Sequence, residues 1–165
     1  MRYLKKKELE LFLEKVPEHP KPTPYLEQYT LPAKVAAEFT WYLTTYIERI
    51  KEWRIADLGC GTGRWTKFIA KKVKLVEAID PSDAVFSAAH INKDEQNVRI
   101  TQASVSNIPF DNNTFDFVIC LELIEHLNKK YHMLFLREIQ RVAKEKAIII
   151  ISTPNLYSIP AFESN

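Results

Sequence analysis

The stretch Glu-Leu-Ile-Glu-His, from Glu122 to His126, places two carboxylates and an imidazole within five positions. Groups three and four residues apart share one face if the backbone there is helical. Glu122, Glu125 and His126 could then hold a divalent cation, or His126 could serve as a general base without one. A purely structural account stays open beside these: an acid pair at a helix start, followed by a capping histidine. A second cluster lies upstream. Residues 56 to 63 read Ala-Asp-Leu-Gly-Cys-Gly-Thr-Gly and contain all three glycines of the 165-residue chain, Gly59, Gly61 and Gly63. An apolar run precedes them and a helix-like stretch follows. The backbone must therefore bend sharply here, and it can let a small molecule approach with no Cβ in the way.

The spacing narrows the ligand. It is G-x-G-x-G, not the G-x-G-x-x-G of dinucleotide loops, and bulky Arg64 and Trp65 follow. No G-K-[ST] follows either, which excludes a P-loop. Asp80 closes the next apolar run, 17 residues past Gly63. A carboxylate at the tip of that strand could accept both hydroxyls of a ribose. Capping of the next helix falls more naturally to Ser82 or Asp83.

These residues need a scaffold that brings strand ends together. From Trp53 onward apolar runs alternate with helix-like stretches, the pattern of a parallel sheet covered on both faces. Strands are predicted at 54–58, 75–80, 98–103, 115–121 and 146–152, with helices at 64–72, 83–91 and 129–142. The expected fold is α/β: a Rossmann-like, doubly wound, mostly parallel sheet whose ligand crevice lies at the carboxyl ends of its strands. Ahead of it, residues 1–52 read as a helical appendage and linker. One helix is expected over 4–16, a proline-rich break over 18–24, and a second helix from Pro32 to Ile50. Residues 53–165 form the ligand-binding domain.

Composition bounds the rest. With 46% apolar and 27% charged residues the chain is long enough for one core. A net charge of +2 is too mild to argue for nucleic acid. No run of about 18 uncharged apolar residues and no leader-like N-terminus is present, so a cytoplasmic protein without a membrane span is expected. Cys60 and Cys120 lie far apart without metal-ligand spacing and read as free thiols.

The run from Asp57 through Gly59, Cys60, Gly61 and Thr62 to Gly63 resembles motif I of the class I S-adenosylmethionine-dependent methyltransferases, and the likeness extends over most of residues 54 to 153. The resemblance implies S-adenosyl-L-methionine as cofactor, held by the glycine loop with Asp57 and by Asp80. It places Pro81 beside the adenine and Cys120 at the end of the fourth strand within the cofactor site. The segment from Ala103 to Leu127 resembles the part of small-molecule methyltransferases that commonly reads G-D-A-x-x-L-P-F-x-D-x-x-F-D. There an Asp accepts from the adenine amine; here Ser104, followed by Val105, occupies that place and brings no charge. E-x-x-E-H segments are similar to those of ubiquinone-pathway O-methyltransferases and of enzymes that methylate the terminal 2′-hydroxyl of small RNAs. Ser152, Thr153, Pro154 and Asn155 look like a segment that lines the substrate side in the same relatives.

The N-terminal part up to about Gly63 is similar instead to the ribosomal-RNA adenine N6-methyltransferase family, which makes Gln28 a candidate cofactor contact. That family's N-P-P-[FY] is replaced here by Cys120-Leu121-Glu122-Leu123, so base methylation is not supported. The chain thus reads as a mosaic. The expected function is methyl transfer to a small hydroxylated, carboxylated or amine acceptor. The alternatives are a non-catalytic cofactor-binding or partner-binding domain and an RNA methyltransferase relative. The resembled fold usually continues through two further strands, and the dozen or so residues after Ser152 are not expected to supply them. The run from Ala147 to Ile151 should then be an uncovered edge through which a homodimer could form.

Overall fold

The computed structural model describes residues 50–153. The two helices expected in the N-terminal part, the proline-rich break and Gln28 lie outside the described residues, as do Pro154 and Asn155. A short 3-10 turn, Ile50–Glu52, leads into β1, Arg54–Leu58. There follow α1 (Arg64–Ala70), β2 (Leu75–Asp80), α2 (Ala84–Ile91), β3 (Val98–Gln102) and β4 (Phe115–Leu121). A 3-10 turn, Ile124–His126, precedes α3 (Lys129–Val142) and β5 (Ala143–Ser152).

The five strands form one sheet in the order β3-β2-β1-β4-β5, and every pairing is parallel. This is the doubly wound arrangement the sequence implied. The order grows outward from β1 on both sides, so the reversal falls between β1 and β4, where Ile55, Ala56 and Asp57 pair with Phe117, Val118 and Ile119. In a doubly wound sheet the loops leaving the carboxyl ends of two such strands diverge, and it is there that ligands bind.

Two cores sandwich the sheet. Ile55, Val76, Phe117 and Ile119 pack with Ile69 and Ala70 of α1 on one face. Ala56, Leu58, Val118 and Cys120 pack with Phe135, Ile139 and Val142 of α3 on the other. Those three α3 residues recur at helical spacing, which is why this 14-residue helix lies flat on the sheet. Asn128 starts it, its Oδ1 accepting from the Lys130 N–H at 3.2 Å. Asn97 closes the end of α1 from a distance, donating to the carbonyls of Ala70 (2.7 Å) and Val73 (2.8 Å).

The structure departs from the sequence reading at element ends. β5 starts at Ala143, three residues before the predicted start at 146, because α3 runs into it with no loop. Lys144 and Glu145, which read as a connection, are accommodated with Lys146 in an irregularity opposite Phe115 and Phe117. α1 stops at Ala70, two residues short of the predicted end. Among the described residues no helix is long and apolar enough to cross a membrane.

Candidate functional site

At the end of β1 the chain turns through Gly59 to Gly63 and enters α1. The N–H groups of Gly59 and Cys60 both donate to the Ile79 carbonyl, at 2.8 and 3.0 Å, pinning the loop to the tip of β2. Gly63 N–H donates to the Cys60 carbonyl at 2.9 Å and closes the turn. The glycines sit at φ of 78°, 51° and 74°, a region costly for any residue with a Cβ. Their surroundings differ. A Cβ on Gly63 would stand 2.7 to 2.9 Å from Asn92 Nδ2 and from the Cβ and Cα of Ala88, and one on Gly59 would stand 2.9 Å from Leu123 Cδ2. A Cβ on Gly61 would meet nothing within 4 Å. Two glycines thus let the protein close on itself, and Gly61 presents bare backbone to open space. Thr62 is exposed beside it.

Asp57 and Asp80 lie beneath this loop on neighbouring strands. Asp57 is buried at 3% exposure, and its Oδ2 accepts the Thr66 hydroxyl at 2.6 Å. Burial pushes its carboxyl up to about 6, against the lowering effect of the Thr66 hydrogen bond and with help from the negative charge of Asp80. Asp80 Oδ2 accepts the Gly61 N–H at 3.0 Å, while Oδ1 accepts both the N–H (2.9 Å) and the hydroxyl (2.6 Å) of Ser82. A carboxylate offers about four lone-pair positions. Three are taken by the protein itself. A ribose could use the remaining position on Oδ2, and would take a second by displacing the Ser82 hydroxyl. Ser82 also accepts from the Ala84 N–H at 3.3 Å, whereas Asp83 at the N-cap of α2 makes no side-chain cap.

Beyond β3, Ser104 is exposed and Val105 is buried. Ser104 Oγ accepts the Ser106 N–H at 3.2 Å and lies 2.8 Å from Ser106 Oγ, which curls the backbone into a tight turn. These three residues form one wall of a cleft of about 270 Å³ whose other lining residues are Leu127, Tyr131 and Phe135. The sequence reading found Ser104 and Val105 but missed the opposite wall. Tyr131 and Phe135 sit four apart on α3, and that spacing announces a core face; nothing in it announces a cleft. Pro81 is exposed just past Asp80.

The segment after β4 is arranged differently from the shared helical face considered above. Glu122 has φ of 53°, so the helical path is broken at that residue, and the 3-10 turn begins only at Ile124. Its N–H donates to the carbonyl and the Oγ of Ser152, both at 3.1 Å, and its Oε1 accepts from Ser152 Oγ at 2.7 Å. Glu122 is half-buried, while Glu125 and His126 are exposed. Among the described residues no three His, Cys, Asp or Glu side chains gather as a metal site would require. Cys120 lies fully buried in the core beneath, and Cys60 is half-buried. Burial pushes both thiols far above their ordinary range; the charges of Asp57 and Asp80 add to this at Cys60, and those of Asp57 and Glu125 at Cys120. Both surroundings disfavour the thiolate.

Comparison with known proteins places this arrangement. A family model described as a methyltransferase domain matches residues 56–151. A Mycobacterium tuberculosis protein named "Probable S-adenosylmethionine-dependent methyltransferase" is 30% identical over 101 residues, 61% of this chain and 35% of that protein. The ubiquinone biosynthesis O-methyltransferase of Azorhizobium caulinodans is 31% identical over 108 residues, covering 64% of this chain and 42% of that one. A solved SAM-dependent methyltransferase from Aquifex aeolicus is alike with a TM-score of 0.59 at 26% identity, covering 79% of this chain and 73% of its own. The chain spans less than half the length of these two curated relatives. None of these matches bears on the likeness of the N-terminal part to RNA adenine methyltransferases. The glycine turn, Asp80 and the β1/β4 reversal all fall inside the matched span, and the chain belongs to the methyltransferase-domain family.

Proposed function

We propose that this chain binds S-adenosyl-L-methionine across the β1/β4 reversal and transfers its methyl group to an oxygen or nitrogen of a small-molecule acceptor. The observation that carries this reading is Gly61: bare backbone facing open space, with its N–H held by the same Asp80 carboxylate that a ribose would use. The fit extends to the base. A 270 Å³ cleft at the end of β3 is ample for an adenine, and its walls are aromatic on α3, at Tyr131 and Phe135, and hydroxyl-bearing at Ser104 and Ser106. Bound there, the cofactor supplies a methyl group on a positively charged sulfur. Asp57, buried nearby, contributes a negative field that favours such a cation.

The protein's own part in methyl transfer is largely positioning. Leu123 rests on Gly59, so the segment after β4 abuts the glycine turn, and Glu122 is fixed at its start by Ser152. A non-glycine residue held at positive φ is strained by about 1–2 kcal/mol, and such strain gathers where a side chain must be aimed. Among the described residues Glu122 Oε2 has no hydrogen-bond donor. It is the group best placed to orient a hydroxyl or amine acceptor and to receive its proton. Names given to relatives, an O-methyltransferase among them, agree with that class of acceptor.

Calorimetric titration of the purified chain with S-adenosylmethionine and S-adenosylhomocysteine tests the reading. Both should bind to the wild type. Asp80→Ala removes one or two charge-assisted hydrogen bonds to ribose and should weaken both by about a hundredfold. Ser82→Ala removes the hydroxyl that competes for Oδ1 and should tighten binding by about threefold. Folded wild-type protein that gives no heat with either compound rules the proposal out.

A further inference from the structure

Arg141, near the end of α3, places each of its five N–H donors on a separate acceptor. Nε and Nη2 hold Glu138 Oε1 and Oε2 at 2.7 and 2.8 Å. Nη2 also reaches the Ile108 carbonyl at 2.8 Å, and Nη1 reaches the Phe110 carbonyl at 2.6 Å and Asn112 Oδ1 at 3.1 Å. Glu138 completes the loop by accepting the Ile108 N–H at 2.8 Å. Two side chains one helical turn apart thus fasten the backbone of Ile108 and Phe110 and the side chain of Asn112 to α3. The Arg141 hydrogen bonds hold the Glu138 carboxyl below its usual range, so the pair stays ionised through neutral and mildly acid pH.

The fastened segment is the continuation of the wall formed by Ser104, Val105 and Ser106, and the facing wall, Tyr131 and Phe135, stands on the same helix as the clamp. The pair therefore ties the two sides of the cleft to one rigid element, and the distance between them follows from its geometry. Val105 lines the wall held by the clamp, and among the described residues no acceptor takes its N–H, which leaves that donor open to a purine edge. We propose that Glu138 and Arg141 are positioning residues that set the width of this cleft and with it the discrimination of adenine from other purines. This rests on the assignment of the cleft to the cofactor's base. A fixed N–H suits an acceptor nitrogen on the base edge and opposes a ring N–H, which separates adenine from hypoxanthine. If the clamp opens, the wall relaxes and both bases are accommodated alike.

The test is titration of the full chain with S-adenosylhomocysteine and with S-inosylhomocysteine, which carries a carbonyl in place of the adenine amine and a ring N–H at the neighbouring position. Wild-type protein should prefer the adenosyl compound by about tenfold or more. In Arg141→Met the two affinities should converge to within about twofold, and Arg141→Lys, with a point charge in place of the fork, should fall between. Glu138→Gln keeps an acceptor for the Ile108 N–H and preserves the helix; its preference should drop to about threefold, and it decides the matter if Arg141→Met does not fold. A merely structural role would weaken both ligands in proportion. Proportional weakening, an unchanged preference in the variants, or a wild type that binds both ligands equally overturns the proposal. A wild type that binds neither ligand overturns instead the cofactor assignment beneath it.

Discussion

Replacing Asp57 with asparagine should stabilise the fold at neutral pH while weakening its grip on a cationic ligand. The carboxyl lies at 3% exposure beside a second acid, and burial raises it from 3.8 to about 6. Below pH 3.8 it is protonated in the folded and unfolded chain alike and costs nothing. Between pH 3.8 and about 6 the folded chain keeps a proton that the unfolded chain releases, so stability from this group falls as pH rises. Above pH 6 the loss is complete. At about 1.4 kcal/mol per pH unit the total is about 3 kcal/mol. Asparagine has the same shape, can still accept the Thr66 hydroxyl, and carries no charge to desolvate. For a chain of this size about 3 kcal/mol corresponds to about 6 to 12 °C in Tm.

Thermal melts of both proteins at half-unit steps from pH 4 to pH 8 measure this. The variant's advantage should be near zero at pH 4, grow through pH 5 and 6, and level off above. Binding should move the other way: a positively charged sulfonium favours the ionised carboxylate, so the variant should bind S-adenosylmethionine more weakly at pH 8. Wild-type protein titrated near pH 6 should release protons on binding, read as a dependence of the heat on the buffer's ionisation enthalpy. An advantage that does not vary with pH, or a variant less stable at pH 8, refutes the view of Asp57 as a buried carboxylate held at a cost.

Gly61→Ala and Gly63→Ala should separate ligand approach from folding. The first meets only the strain of positive φ, about 1 kcal/mol, but should lower affinity for S-adenosylhomocysteine by about tenfold. The second drives a Cβ against the backbone of Ala88 and should cost about 2 to 4 kcal/mol of stability in chemical denaturation; equal losses of stability in the two variants would contradict the division of roles. Among the described residues β5 is an edge strand on which Ile149 and Ile151 are 44% and 36% exposed, and we propose that two copies associate there. Sedimentation at rising concentration should show a dimer that Ile149→Lys with Ile151→Lys dissolves, and a monodisperse wild-type monomer at high concentration contradicts it.

The bounds of β1, β2 and β4 were legible in the sequence because each apolar run ends at a glycine, an aspartate or a break in polarity that the backbone also obeys. The start of β5 was not, because Lys144 and Glu145 have the composition of a loop while α3 turns into the strand without one. The site divides along the same line. Gly61 and Asp80 announce themselves by residue type and spacing, being at strand ends where little else explains them. What they touch is decided by pairs distant in sequence: Gly61 with Asp80, Gly63 with Asn92, Glu122 with Ser152, and Arg141 with Ile108.

Glu122 shows why such pairs escape a linear reading. Counting residues puts it with Glu125 and His126 on one face, and that count is valid only if the backbone is helical from Glu122 onward. The helical path fails at that residue: its N–H is claimed by Ser152 of the neighbouring strand, and the peptide swings to φ of 53° to meet it. Residue type gives no warning, since glutamate has no preference for that conformation. The same event that removes Glu122 from the expected trio locks its carboxylate through Ser152 Oγ. A parallel sheet makes this available at the carboxyl ends of adjacent strands, where Ser152 of β5 meets Glu122 after β4 and the next residue, Leu123, stands against Gly59 of the β1 turn. The candidate acceptor group is therefore a product of strand register. A one-residue slip of β5 against β4 would leave the five-residue motif intact in sequence and aim its glutamate elsewhere.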